Sequence, residues 1–405
     1  MRKLVLGLAV IASVFVNQKT FSQTYDQTLG QELNAISTSV PFLMIAPDSR
    51  AGAMGDVGVA TTPDGYSQHW NSSKLAFIKQ SMGASISYTP WLKKLVDDIN
   101  LAYVSGYYRL DENQTIGAGL RYFSMGSITF TNDIGNEIGD YSPHEFAIDG
   151  SYNRKLSNNF SLGIAGRFIL SNLTGGQGVG SETTEAGTSV AIDINGYYTR
   201  PMVVSGYKGS WAAGFNVSNI GAKLGYTEDE KNFIPTNLRL GGAATIDIDD
   251  YNSISVAFDI NKLLVPTPPH YYSDGDTLPD GTISDGLASP DNIKFGKDNN
   301  VGIIQGMVQS FNDAPGGFEE ELHELTYSVG VEYWYAKQFA ARAGYFYEHA
   351  TKGNRKYFTA GVGLKMNVFG LDFSYLIPAG NFNNSPLSNT WRFSLLFDMD
   401  AFSNQ

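Results

Sequence analysis

From Gln80 onward, apolar and polar residues alternate with the period of a strand whose two faces meet different surroundings. Phe160, Leu162, Ile164, Phe168 and Leu170 share one face, and Ser161, Gly163, Ala165 and Arg167 the other. Ile254, Val256, Phe258 and Ile260 alternate with Ser255, Ala257, Asp259 and Asn261. Trp391, Phe393, Leu395, Phe397 and Met399 alternate with Arg392, Ser394 and Asp398, and Leu396 interrupts the polar face. A soluble β-sandwich produces the same alternation, so strand length and loop pattern must decide between the two.

Both favour a membrane barrel. Strands are expected near 81–90, 98–110, 113–125, 143–155, 158–170, 186–200, 207–218, 236–249, 251–262, 324–336, 338–349, 355–367, 369–377 and 390–399. Most run about 9 to 14 residues, enough to cross a bilayer at a tilt and long for soluble strands. The total is even, as in bacterial single-chain barrels. Connections near 111, 156, 203, 250, 337 and 368 are short. Those at 91–97, 126–142, 171–185, 219–235, 263–323, 350–354 and 378–389 are mostly long. Short periplasmic turns alternating with long outer loops are a barrel's pattern. The expected fold is therefore all-β, a transmembrane antiparallel barrel of about 14 strands. An even count places both termini on the periplasmic side.

Composition agrees and excludes several function classes. Charged residues are 17% and aromatic residues 13%, which suits strands that are apolar on one face only. There is no cysteine, so disulfides, cysteine-ligated zinc, a thiol nucleophile and a lipoprotein anchor are excluded. The net charge of −12 argues against nucleic acid as a partner. Arg2, Lys3 and the apolar run Leu4 to Val16, then Thr20-Phe21-Ser22, read as a signal peptide over 1–22. No later apolar run is long enough for a spanning helix.

Charged residues on the polar faces (Arg167, Asp193, Arg239, Asp259, Glu332, Arg342, Asp372 and Arg392) belong in the lumen, because on the lipid face an arginine costs up to roughly 2–4 kcal/mol. Residues 23–80 do not alternate. Thr28 to Ser39 suits a short helix, and the small-residue stretch from Ser49 to Ala60 can pack closely against other backbone. The segment is expected to fold into the barrel 81–405 as a plug, with Arg50, Gly52, Met54, Gly55, Asp56 and Asn71 as its characteristic residues.

The run Arg50-Ala51-Gly52-Ala53-Met54-Gly55-Asp56, followed by His69-Trp70-Asn71, resembles the hatch of the FadL-like barrels, whose fold has 14 strands and an N-terminal plug. That family continues Asn-Pro-Ala, where this chain has Asn71-Ser72-Ser73-Lys74. Ser310 to Glu324, Ala341 to His349, Gly353 to Thr359 and Asp372 to Pro378 resemble the PorV (LptO) family, outer-membrane barrels of the type IX secretion system of Bacteroidetes. The resemblance implies a part in exporting proteins that carry C-terminal sorting domains. Its implied partners are a SprA-type translocon barrel, a PorU-type sortase and attachment complex, the cargo itself and outer-membrane lipid.

Three motifs need weighing. The loop 263–323 carries ten acidic residues against Lys294 and Lys297, together with Ile303, Ile304, Met307, Val308, Phe311 and Phe318. Exposed apolar residues on an anchored loop suggest a docking surface. Phe311, Asp313, Pro315, Gly316, Gly317, Phe318 and Glu320 are the candidate partner contacts. Asp274, Asp276, Asp280 and Asp285 invite a calcium reading, but EF-hand spacing fails at Leu278, and Gly-Asp turns account for them. The five histidines show no metal-ligand pairing, and no nucleophile–base spacing is legible, so no catalytic, cofactor or metal residue is assigned and no enzyme is expected. Two rival functions remain: a FadL-type transporter of hydrophobic small molecules, and a lipid A deacylase with His144 or His349 at the rim.

Overall fold

The computed structural model describes residues 33–399 apart from 95, 132–133, 177–183, 228–229 and 381–384. The signal peptide lies outside these residues, as does the first part of the expected helix. Its remainder, 33–39, is irregular.

Fourteen strands close into one antiparallel barrel. They are β1 (Met82–Pro90), β2 (Ile99–Arg109), β3 (Gln114–Met125), β4 (His144–Lys155), β5 (Phe160–Asn172), β6 (Gly187–Val204) and β7 (Tyr207–Gly221), then β8 (Asn237–Asp247), β9 (Asn252–Leu263), β10 (Thr326–Tyr335), β11 (Phe339–Tyr347), β12 (Lys356–Lys365), β13 (Phe369–Pro378) and β14 (Trp391–Asp398). Each pairs with its neighbours in sequence. The seam joins β1 to β14, with Gly83 opposite Asp398 and Tyr88 opposite Phe393. Closure leaves no edge strand, as hydrocarbon surroundings require.

Alternation sets the faces. Ile86, Val104, Leu120, Ile148, Phe168 and Val190 are register partners across six consecutive strands, and all are exposed. This is a continuous apolar row facing outward. The eight lumen charges named from sequence all lie on inward-facing positions; seven are buried and Arg239 is half-buried. Tyrosine pairs obey the same period. Tyr108 is exposed at the outer wall while Tyr107 turns inward, and Tyr197 is buried while Tyr198 packs against Trp211 on the outside.

The plug enters at the long-loop end. Asn34 donates its backbone N–H to Thr351 O and its side chain to Pro268 O and Glu320. The barrel's last strand finishes at the opposite end, where Asp398 N–H reaches Val368 O. The first described residues of the plug thus lie at the long-loop end and the last described residues of the barrel at the short-turn end; the termini themselves lie outside the described residues. Strand parity fixes only where the barrel begins and ends; the plug crosses the lumen before β1, bringing the chain in from the other side.

Candidate functional site: the plugged lumen and the long loop

Plug residues 40–78 are bolted to the wall by side chains of both signs. Short helices α1 (Ser49–Gly52) and α2 (Ser67–Trp70) mark its two turns. Asp48 starts the first by accepting Ala51 N–H at 2.9 Å, and it also accepts the Trp70 indole at 2.6 Å. Arg50 reaches from the plug to Glu332 on β10 at 2.7 Å and to Asp64 at 2.7 Å. Glu332 also takes Arg342 at 2.7 Å, and Arg342 takes Asp372 at 2.6 Å. Elsewhere Asp259 accepts the Gly58 and Val59 amides at 2.8 and 3.1 Å, and Asn195 accepts Ser73 N–H at 2.8 Å. These charges are matched structural bolts. Their burial without partners would be prohibitive.

Contact is close because the facing residues lack side chains. A Cβ on Gly344 would lie 2.1 Å from the Met54 carbonyl carbon, and one on its register partner Gly330 would lie 2.5 Å from Met54 Cβ. Gly55 has φ +69°, and a Cβ there would meet Tyr345 O at 2.6 Å. Asn71 bridges Val59 O and Gly196 O at 3.0 Å each and accepts Ser73 N–H. Lys74, directly after the Ser72-Ser73 pair that replaces Pro-Ala in this chain, is fully buried and donates to Gly58 O at 2.7 Å and to Thr61.

The lumen also has an apolar half, which sequence reasoning passed over. Leu101, Phe123, Ala147, Ile169 and Ala191 point inward, and Val40, Phe42 and Leu43 of the plug fill the space with Leu224 and Ile234. The chain's own residues fill this apolar half. Signals for this half were present: Leu101, Phe123 and Ile169 fall on the inward parity of their strands.

The long loop is folded. It contains α3 (Ile303–Gln309) and α4 (Phe318–His323), and it is held at its base by an ionic clasp. Lys262 binds Glu321 at 2.9 Å and Glu324 at 2.7 Å; Lys352 binds Glu320 at 2.5 Å and Glu324 at 3.0 Å. Asp313 is buried within this clasp and accepts Thr267 N–H at 3.2 Å. Burial pushes its carboxyl up to about 6. His323 and His349 stack face to face with ring centroids 3.5 Å apart, and burial followed by the neighbouring His323 charge holds His349 below the usual imidazole range.

Of the candidate contacts, Phe311 is 53% exposed and Phe318 77%, and Gly316 and Gly317 lie at the surface. Pro315 is half-buried. Asp313 and Glu320 are committed to the clasp and hold the loop's shape. Ile304 and Val308, one helical turn apart on α3, are 65% and 69% exposed, and Gly306 packs against Phe233 and Pro266. Phe311, Phe318 and Leu322 are further exposed apolar side chains of the same loop. The aspartates of the front half cap their own turns: Asp280 takes Thr282 N–H at 2.9 Å and Asp285 takes Leu287 N–H at 3.0 Å. Among the described residues no three acidic or histidine side chains are arranged around a cation position. His144 meets Ser142 O and stacks on Tyr122, and His349 meets Thr351.

The family described as type IX secretion system protein PorV matches residues 28–270. No curated protein matches the chain. Similar solved structures include the toluene transporter TbuX of Ralstonia pickettii (12% identity, 87% of this chain and 96% of that one, TM-score 0.41). Others are the toluene transporter TodX of Pseudomonas putida (10%, 90% and 98%, 0.43) and a FadL homologue of Pseudomonas aeruginosa (11%, 90% and 99%, 0.40). These likenesses concern the fold alone. The matched segment runs through the plug and the first nine strands, which is more than half of the chain, and the protein is accordingly a member of the PorV family of type IX secretion system proteins.

Proposed function

We propose that this barrel is the outer-membrane acceptor of type IX secretion, receiving proteins with C-terminal sorting domains from a SprA-type translocon and passing them to a PorU-type sortase and attachment complex. The observation that carries this reading is a folded, anchored loop displaying Ile304, Val308, Phe311 and Phe318 above a lumen whose apolar half is occupied by its own plug. An apolar surface of this kind, held rigid outside a closed barrel, suits protein docking. Transport of hydrophobic molecules would need the apolar half of the lumen that Val40, Phe42 and Leu43 occupy. A lipid A deacylase would need a serine–histidine arrangement, and His144 and His349 have other contacts. With the long loops outward, the first described residues of the plug lie on the outer side.

Replacing Ile304, Val308, Phe311 and Phe318 together by Ser should leave a heat-modifiable outer-membrane barrel. Cargo with C-terminal sorting domains should then accumulate in the periplasm. Normal secretion from that variant would move the docking surface elsewhere.

A further inference from the structure

The short-turn rim of the barrel is level except at one place. At five of the six short connections, the hairpin's own ladder and the ladders to its two neighbours end within one residue of each other. The β6–β7 ladder runs on to Val204 opposite Tyr207, although β6 leaves β5 at Tyr198 and β7 leaves β8 at Gly209. Ser205 (φ +51°) and Gly206 (φ +87°) close it with the left-handed pair that a tight two-residue hairpin needs. On the outer wall Tyr198 and Trp211, with ring centroids 5.2 Å apart, mark the aromatic girdle at this end. Pro201 to Val204 continue past it for roughly 13 Å along the strand. With the long loops outward, they stand in the periplasm.

The tip is apolar on both faces. Val203 is 70% exposed, Val204 44% and Tyr207 36%. Val203 and Val204 point to opposite sides of the hairpin, so a bilayer surface would cover only one of them. The β6 edge of the hairpin is also free. Thr199 turns its backbone groups toward β5, where its N–H meets Asn159 O at 2.8 Å and its C=O takes the Asn159 side-chain N–H at 2.7 Å. By alternation Pro201 and Val203 turn the same way, past the start of β5, and pair with nothing among the described residues. The edge therefore offers Pro201 O, Val203 N–H and Val203 O. Pro201 brings no N–H, which blunts the edge against unselective pairing. Arg200 and Lys208 are exposed, residues 199–210 contain no acid, and neither cation forms an ion pair among the described residues. We propose that this step in the rim docks an extended segment of a periplasmic protein, which adds as a short strand at Val203 and brings carboxylates to Arg200 and Lys208. The main-chain bonds set the segment's register and the two cations select it. The site lies at the opposite end from the long loop and does not depend on where cargo docks.

The test is photocross-linking in intact cells, with benzoylphenylalanine placed at position 203 of the full chain. Leu110 and Leu156, 50% and 57% exposed on other short turns, are the control positions. Position 203 should give one discrete adduct with a periplasmic protein that the controls lack, and mass spectrometry of the joined peptide should find Asp or Glu beside the link. Arg200→Glu with Lys208→Glu should cut the adduct at least about fivefold, and Arg200→Lys should leave it in place. With the photoreactive group moved to position 207, Val203→Pro removes the free N–H of the edge and should cut the same adduct by a similar factor. Proline is tolerated there because that N–H has no partner in the barrel. This variant keeps the test alive if charge reversal fails the heat-modifiability check. Adducts with lipid alone, an adduct with a second copy of this chain, no adduct, equal labelling at the controls, or an adduct unmoved by either variant overturns the proposal.

Discussion

Glu332 stands between two cations, Arg50 from the plug and Arg342 from the wall, with its side chain 1% exposed. Removing it leaves both guanidiniums partly uncompensated in a dry interior. Glu332→Ala should cost about 3–5 kcal/mol, and Glu332→Gln, which keeps an acceptor, should cost less. The temperature at which the folded band converts on gels measures this. Unchanged conversion in the alanine variant would mean that the network contributes little. Asp313 has the opposite character, because its carboxyl is buried without a cation dedicated to it. Its folded value of about 6 lies above the unfolded one, so the stability it contributes is full below the unfolded value and is lost as pH rises through about 6. Asp313→Asn keeps the acceptor for Thr267 N–H and removes the charge. Exchange of that amide should therefore be slower in the variant at pH 7.5, by roughly tenfold per pKa unit recovered, and equal in the two proteins near pH 4. A variant that exchanges faster at pH 7.5 would show that the carboxylate holds the loop.

At the scale of elements, the plug depends on a flat seat. Gly330 and Gly344 face each other across β10 and β11, and Met54 lies against both. Gly344→Ala should force the plug backbone away, cost about 1–3 kcal/mol and open the plug to added protease. Gly166 lies in a strand too, but its Cβ direction meets nothing within 4 Å, so Gly166→Ala should be neutral within about 0.5 kcal/mol. Equal protease resistance of both variants would mean that the plug is not seated by close approach. The strands were legible in advance because a barrel strand writes its two faces into alternate residues, and the short and long connections then order its two ends. The plug's path was not legible, since its contacts combine backbone, small residues and isolated polar side chains such as Arg50 and Gln68, none of which carries a period. For the same reason Leu396 looks like an error in the polar face of β14, whereas it turns inward and covers Gly65; a Cβ on Gly65 would come within 2.8 Å of it. In the long loop, hydrophobicity pointed to the exposed patch. It gave no sign that Asp313 and Glu320 are internal, because their partners, the Thr267 amide and Lys352, lie far away in sequence.

The whole molecule is a closed wall, a bolted plug and a folded long loop, and on the proposed function this division separates anchoring from docking. If the lumen has no part in cargo passage, the plug need never move during secretion. The chain offers a clean way to ask, because it contains no cysteine. Ser49 on the plug and Ser394 on β14 are buried with hydroxyl oxygens 3.1 Å apart, and the Ser49 amide donates to Ser394 at 2.9 Å. A Ser49→Cys, Ser394→Cys double variant should oxidise to a single intramolecular disulfide that fixes the plug to the wall. Export of cargo with C-terminal sorting domains should continue at the parental level in the oxidised strain. A block that is relieved by reductant, with the two single variants secreting normally, would mean that the plug must shift during each cycle; the ion pairs from Arg50 to Glu332 and Asp64 would then be a latch, and the closed lumen described here one of two states.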